Sequence, residues 1–437
     1  MKYYLIIYAL VLFHGLAVAQ LSKTERKISQ SIDSFTPEIL KLWEDAVNIN
    51  SGTMNFDGVR KVGALFQKEF DALGFTTRWV DGRSFGRAGH LIAEHKGKAQ
   101  GRTVLLIGHL DTVFELSSPF QKFSQVNDST VQGPGSGDMK GGDVIMIQSL
   151  KALQKAGVLD EMNIIVIMTG DEEHSGDPLS ASKHDLIEAA RRADIAIGFE
   201  DGDGKFESAI VSRRSSSDWK LTVNGTPAHS SQIFTDDVGA GAIFESSRIL
   251  NEFYSTLSIE QDLTFNPGVI LGGTTVEHDA DMKSGNASGK DNIVAKDVVV
   301  TGDIRAISPA QLKKAQEVMR NIVEKHLPQT KAEIAFGEGY PPLAPTEGNY
   351  KLLELYGDVS MDVGYGKVSA VKPRNAGAAD ISFTSGFVDM ALDGLGPRCS
   401  GGHTVNETAD PRTIPMEARR VAILLHRLMS VPVTNKK

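Results

Sequence analysis

Only one cysteine, Cys399, occurs in the 437-residue chain. No internal disulfide can form, so stability must come from the core and from whatever the fold binds. Basic residues are also in deficit: 46 Lys and Arg stand against 55 Asp and Glu, a formal charge of −9. Without a cationic surplus or a long Lys/Arg run, the chain cannot neutralise many phosphates, which argues against nucleic acid as a partner. Long apolar runs are scarce as well. The run at residues 3–18 follows Lys2, is short for a membrane span, and leads into Ala17-Val18-Ala19, the small-residue pattern that a signal peptidase reads. Residues 1–19 therefore read as a signal peptide cleaved after Ala19, which implies a secreted or periplasmic mature protein with no membrane anchor. No cysteine stands beside this segment to carry a lipid, and the chain holds neither an internal repeat nor a low-complexity linker.

What is present is the length for two or three domains and an ordinary apolar content of 41%. Up to about residue 213 the pattern alternates strands and helices. Three continuous apolar runs, at 103–107, 163–168 and 195–199, read as strands buried on both faces of a helix-flanked sheet. A helix is expected at 143–156, with Val144, Ile147 and Leu150 on one face and Gly157 as its stop. The middle of the chain changes character. Strands at 218–224, 268–272 and 297–305 and helices at 238–254 and 309–326 suggest a small α+β insert with an open sheet. Further helices are expected at 349–358 and 415–429.

Polar groups follow each of the three buried strands: His109-Leu110-Asp111, then Asp171-Glu172-Glu173, then Glu200-Asp201. Open α/β sheets bind ligands at the carboxyl ends of their strands, so these groups should share one crevice. Imidazole with several carboxylates suits zinc or a similar divalent ion. His109 and Asp111 are two apart and share one side of an extended strand, so Asp111 can orient the imidazole. Glu172 and Glu173 are adjacent and point differently, so one can ligate while the other faces a water. Glycines around Asp138, in the run Gly-Pro-Gly-Ser-Gly-Asp-Met-Lys-Gly-Gly, allow the sharp turn that would bring its carboxylate in.

Five motifs in order, HLDTV at 109–113, GPGSGDMKGG at 133–142, DEE at 171–173, GFED at 198–201 and GGHT at 401–404, resemble the M20 metallopeptidases, most closely their secreted glutamate-carboxypeptidase-like branch. NGTPAHS at 224–230 and DNIVAKDVVVTGDIR at 291–305 resemble that family's lid. The resemblance implies an α/β zinc-exopeptidase-like catalytic domain, with a central, mostly parallel sheet flanked by helices. It also implies an inserted α+β, ferredoxin-like lid that pairs two copies of the chain. The expected boundaries are 20–213 and 329–437 for the catalytic domain and 214–328 for the lid and dimerisation domain. Two Zn2+ ions are implied, replaceable by Co2+ or Mn2+. Asp138 would bridge them, with His109 and Glu200 completing one site and Glu173 and His403 the other. Glu172 would be the general base, Asp111 the residue orienting His109, and His229 and Asn292 donors from the lid. A cis peptide between Asp138 and Met139 is also implied.

The expected activity is hydrolysis of a peptide-type amide bond, as a carboxypeptidase- or dipeptidase-like exopeptidase acting on a peptide; an N-acyl-amino-acid deacylase or an aminopeptidase is the alternative. A two-metal phosphoesterase fits less well, because no extra basic residue in the motifs greets a phosphate. Glu172 speaks against a mere binder. Many carboxypeptidase-like members carry an arginine where this chain has Tyr340, and with that charge missing Arg305 is left as the expected anchor for a substrate carboxylate, together with Asn292.

Overall fold

The computed structural model describes residues 21–98, 101–279 and 283–431, so the expected signal peptide lies outside the described residues. The apolar runs become the middle of a six-stranded sheet in the order Thr76–Asp81, Gly89–His95, Asn163–Thr169, Thr103–His109, Ile195–Gly198, Met390–Leu392. The last four strands are parallel to one another. The first two form an antiparallel edge, which makes the whole sheet mixed. Both faces are covered, and this is why the central strands are apolar through their middles, at 104–107, 164–168 and 195–197. Val104, Leu106, Ile164 and Val166 face the helices Lys23–Val47, Lys140–Ala156 and Thr413–Leu428. Leu105, Ile107, Ile165 and Ile167 face the helix His184–Arg192. Among the described residues no helix is long and apolar enough to cross a membrane.

The helix expected from residue 143 starts earlier, at Lys140, and takes in both glycines of the Gly-Gly pair. A Cβ on Gly142 would stand 1.9 Å from the Phe199 carbonyl oxygen. The bare backbone lets the helix start press against the end of the strand Ile195–Gly198, which brings Asp138 beside Glu200.

The middle of the chain forms its own four-stranded antiparallel sheet, ordered Thr264–Gly273, Asp297–Arg305, Ser217–Gly225, Thr330–Phe336. Trp219, Leu221, Val223, Val298 and Val300 pack under the helices Gly241–Leu257 and Pro309–Val323. Its fourth strand lies past residue 328, where the sequence reading ended the insert. Thr330, Ala332, Ile334 and Phe336 turn toward this second core while Lys331, Glu333 and Ala335 are exposed, so the strand belongs with the insert by burial as well as by pairing. Entry and exit of the insert run side by side as antiparallel bridges, Arg213 with Leu343 and Ser216 with Tyr340.

Candidate metal centre

The carboxyl ends of the parallel strands converge, as the general rule for such sheets requires. His109 ends its strand, Thr169 leads into Asp171–Glu173, and Gly198 leads into Glu200. The glycine-rich loop brings Asp138 between them, and the peptide from Asp138 to Met139 is cis. His403 arrives from a distant turn with φ 61°, in the left-handed region that residues other than glycine avoid.

Two triads result, His109–Asp138–Glu200 and Asp138–Glu173–His403, and Asp138 belongs to both. His109 Nε2 lies 3.1 Å from Asp138 Oδ1 and 3.5 Å from Glu200 Oε1. His403 Nε2 lies 3.0 Å from Asp138 Oδ2 and 3.2 Å from Glu173 Oε2. Donors about 2.0–2.2 Å from a tetrahedral ion stand about 3.3–3.6 Å from one another; the 3.5 Å pair falls in that range and the 3.0–3.2 Å pairs lie a few tenths of an ångström inside it, near enough for each triad to hold a divalent ion. The His403 side chain is 60% exposed and that of His109 is 1% exposed, so one triad lies at the rim and the other on the floor.

Asp111 supports this arrangement from beneath. Its carboxylate accepts the backbone N–H groups of Glu172 and Glu173, each at 3.1 Å, and the Thr53 hydroxyl at 2.7 Å. His109 Nδ1 bonds the Asp111 main-chain carbonyl at 3.1 Å and lies 3.4 Å from Asp111 Oδ1, leaving Nε2 to face Asp138. Glu407, which the sequence reading did not single out, accepts the N–H groups of Gly135 (3.3 Å), Gly137 (2.8 Å) and Asp138 (3.1 Å) and so fixes the turn that presents Asp138. Its only sequence signal is its place four residues after His403. Thr53 had none.

Charge is crowded here. Burial raises Glu172 well above the ordinary carboxylate range, and the charge on Glu200 adds to the effect. Burial raises Glu173 and Glu200 in the same direction, reinforced in both by Asp138. Burial would raise Asp138 too, but its contacts with His109 and His403 hold it below the usual range. Asp138 and Glu173 push His403 up to about 11. Burial opposes a charge on His109, yet Asp111, Asp138 and Glu200 outweigh it and hold this imidazole well above its ordinary value. Like charges packed this closely are relieved by a multivalent cation, so the donor set fits metal in charge as well as in spacing.

A proton count follows. Both imidazoles are held charged at neutral pH in the metal-free protein, and each must be neutral to donate a lone pair. Zinc added to metal-free protein at pH 7 should therefore release at least about two protons per chain, with Glu173 and Glu200, whose carboxyls are also raised, adding to the imidazole protons, and its apparent affinity should rise with pH. Calorimetric titration in buffers of different ionisation enthalpy measures the release; zinc uptake without it would show that the imidazoles are not donors.

Other expected site residues lie apart. His229 is exposed in the insert, where its Nδ1 accepts the Ser231 N–H at 3.2 Å and leaves Nε2 as the donor. Asn292 is its neighbour, its carbonyl accepting the Ser230 N–H. Arg305 pairs through Nε with Asp303 Oδ2 at 2.9 Å. Among the described residues no hydrogen bond or ion pair joins these three to the triads. Tyr340, at the position of the missing arginine, turns its hydroxyl inward. Its hydroxyl donates toward the Glu172 carbonyl and Asp380 Oδ1, each at 3.1 Å, and accepts from Ser175 Oγ at 3.1 Å. Burial and the Asp380 charge raise this phenol well above its ordinary value, so it stays protonated.

A mixed, helix-flanked sheet with two carboxylate–imidazole triads at its strand ends, sharing one aspartate, defines a metal-dependent hydrolase. The chain matches the profile of peptidase family M20/M25/M40 over residues 105–427 and belongs to that family. As a member it is a peptidase that hydrolyses amide bonds. It is 25% identical over 414 residues to carboxypeptidase G2 of Pseudomonas sp. (strain RS-16), an alignment covering 93% of this chain and 94% of that one. Among solved structures, aminopeptidase PepT from Bacillus cereus superposes with a TM-score of 0.69 at 18% identity, covering 90% of this chain and 98% of the other. A dinuclear metal-binding peptidase of family M20 from Bacillus subtilis superposes with a TM-score of 0.62 at 13% identity, covering 92% and 100%. These two likenesses carry the fold.

Proposed function

We propose that the protein is a secreted, dinuclear zinc exopeptidase of carboxypeptidase type. The observation that carries this reading is the position of Asp138, 3.1 Å from one imidazole and 3.0 Å from the other, with the backbone of Glu172 fixed alongside by Asp111. His109, Asp138 and Glu200 would hold one ion and Asp138, Glu173 and His403 the other. Bound there, zinc supplies polarisation of the scissile carbonyl and lowers the pKa of water toward neutrality.

The chain's own residues do the rest. Glu172 takes the proton of the attacking water and later gives it to the leaving amine. Asp111 keeps His109 oriented with Nε2 outward. His229 and Asn292 would supply donors to the oxyanion. The likeness to carboxypeptidase G2 supports recognition of a free carboxylate, for which Arg305, engaged among the described residues through its Nε by Asp303, offers two further N–H arms.

We place the work of His229 across a dimer. Phe234, Ile243, Phe244, Tyr254 and Ile270 leave apolar surface exposed along the insert, where a second copy can cover it. Mixing inactive Glu172→Gln chains with inactive His229→Ala chains should then restore activity in heterodimers, up to about a quarter of the unmodified level for random pairing. Proven chain exchange with no recovered activity would rule out action in trans.

Metal analysis with a substrate panel tests the function as a whole. Free-acid dipeptides and longer peptides should be cleaved, and carboxyl-amidated peptides should not. Equal cleavage of amidated substrates would replace this reading with an aminopeptidase, and preference for acyl-amino acids with a deacylase.

A further inference from the structure

We infer that Tyr340, Asp380 and Lys183 form a positioning unit for Glu172, one that fixes the base without touching substrate. The inference rests on Glu172 being the general base, as proposed above. Lys183 is fully buried, and a buried ammonium persists only when paired. Its Nζ donates to Asp171 Oδ1 at 2.9 Å and to Asp380 Oδ1 at 3.0 Å. Asp171, the residue before Glu172, also accepts the Gly176 N–H at 2.8 Å and the Ser182 hydroxyl. Asp380 is tied through its other oxygen to the Thr169 hydroxyl, at the end of the central strand Asn163–Thr169.

The two arms close around Glu172. Asp111 accepts its N–H at 3.1 Å, and the one Tyr340 hydroxyl proton is shared between the Glu172 carbonyl and Asp380 Oδ1, each at 3.1 Å. Both polar groups of the Glu172 backbone are thus held by side chains from outside its own turn. Burying an ammonium between two carboxylates is a weak route to stability, since an apolar cluster of equal volume would serve as well. A fixed Glu172 backbone gives the arrangement a use, because misplacing a reacting group by about 1 Å can slow a reaction about 10²-fold.

The test is Tyr340→Phe, which removes the hydroxyl and keeps the ring packed on Phe383 (centroids 4.9 Å apart). The variant should lose about 10- to 100-fold in kcat, with KM within about twofold, full zinc content and little change in Tm. Asp380→Asn should give the same pattern by a second route. In a Glu172→Asp background, where the shortened carboxylate is already displaced, Tyr340→Phe should add less than about threefold. An unchanged kcat, a kcat loss that tracks zinc loss, or a full additional effect in the Glu172→Asp background would each overturn the proposal. An active Glu172→Gln enzyme would remove the base itself, a result separable from the Tyr340 series.

Discussion

Asp138→Ala should yield a folded chain that binds neither ion and has lost at least about 10⁴-fold in turnover. Each other candidate ligand serves one triad, whereas Asp138 is the shared corner of both. Its removal leaves His109 with Glu200 and His403 with Glu173, two pairs too sparse to retain a divalent ion against water. The backbone should tolerate the change, because Glu407 holds the turn through N–H groups that alanine keeps. Elemental analysis and turnover are the primary measurements. The zinc-dependent rise in Tm should also vanish, since an ion that binds only the folded state stabilises it by mass action. An alanine variant that keeps two ions per chain would refute the shared-corner assignment.

Glu172→Gln should separate chemistry from binding. Glutamine keeps the shape and the N–H that Asp111 accepts, but its amide cannot take up a proton. Both ions should remain, KM should move little, and kcat should fall about 10²- to 10⁴-fold, the range for loss of a general base. Loss of zinc in this variant would instead make Glu172 a ligand and pass the base role to Glu173. The contrast between the two variants is the informative result: one empties the centre, the other silences it while full.

The parallel strands were legible because burial on both faces leaves no polar position in their middles to confuse the pattern, as at Val104, Leu105, Leu106 and Ile107. The edge strand Thr76–Asp81 is half-exposed with a mixed pattern, and Gly89–His95, though buried over its first five residues, is broken by Gly89 and His90, so the antiparallel part of the sheet was not foreseen. Thr330–Phe336 alternates cleanly, yet it lies beyond the proline where the insert was expected to end. In the centre, the acids and imidazole adjoining strand ends declared themselves by position. His403 needed the family resemblance, because nothing near it in sequence shares its task. Thr53, Lys183 and Glu407 stayed hidden: they act through contacts with Asp111, Asp380 and the glycine-rich loop that exist only after folding. Tyr340 was visible as a departure, but not that its hydroxyl turns inward to Glu172 and Asp380.

The paired bridges at the root of the insert, Arg213 with Leu343 and Ser216 with Tyr340, bear on how such a chain can diversify. Because entry and exit are already neighbours, the six-stranded sheet needs no more than a tight turn to close without the insert. Lengthening or exchanging what lies between adds little loop entropy to the body, since that term grows only with the logarithm of length. The appended unit, with its separate core around Trp219 and Val300, can therefore change its surface, its partner and its reach by drift, while the strand ends that carry the acids and imidazoles keep their register.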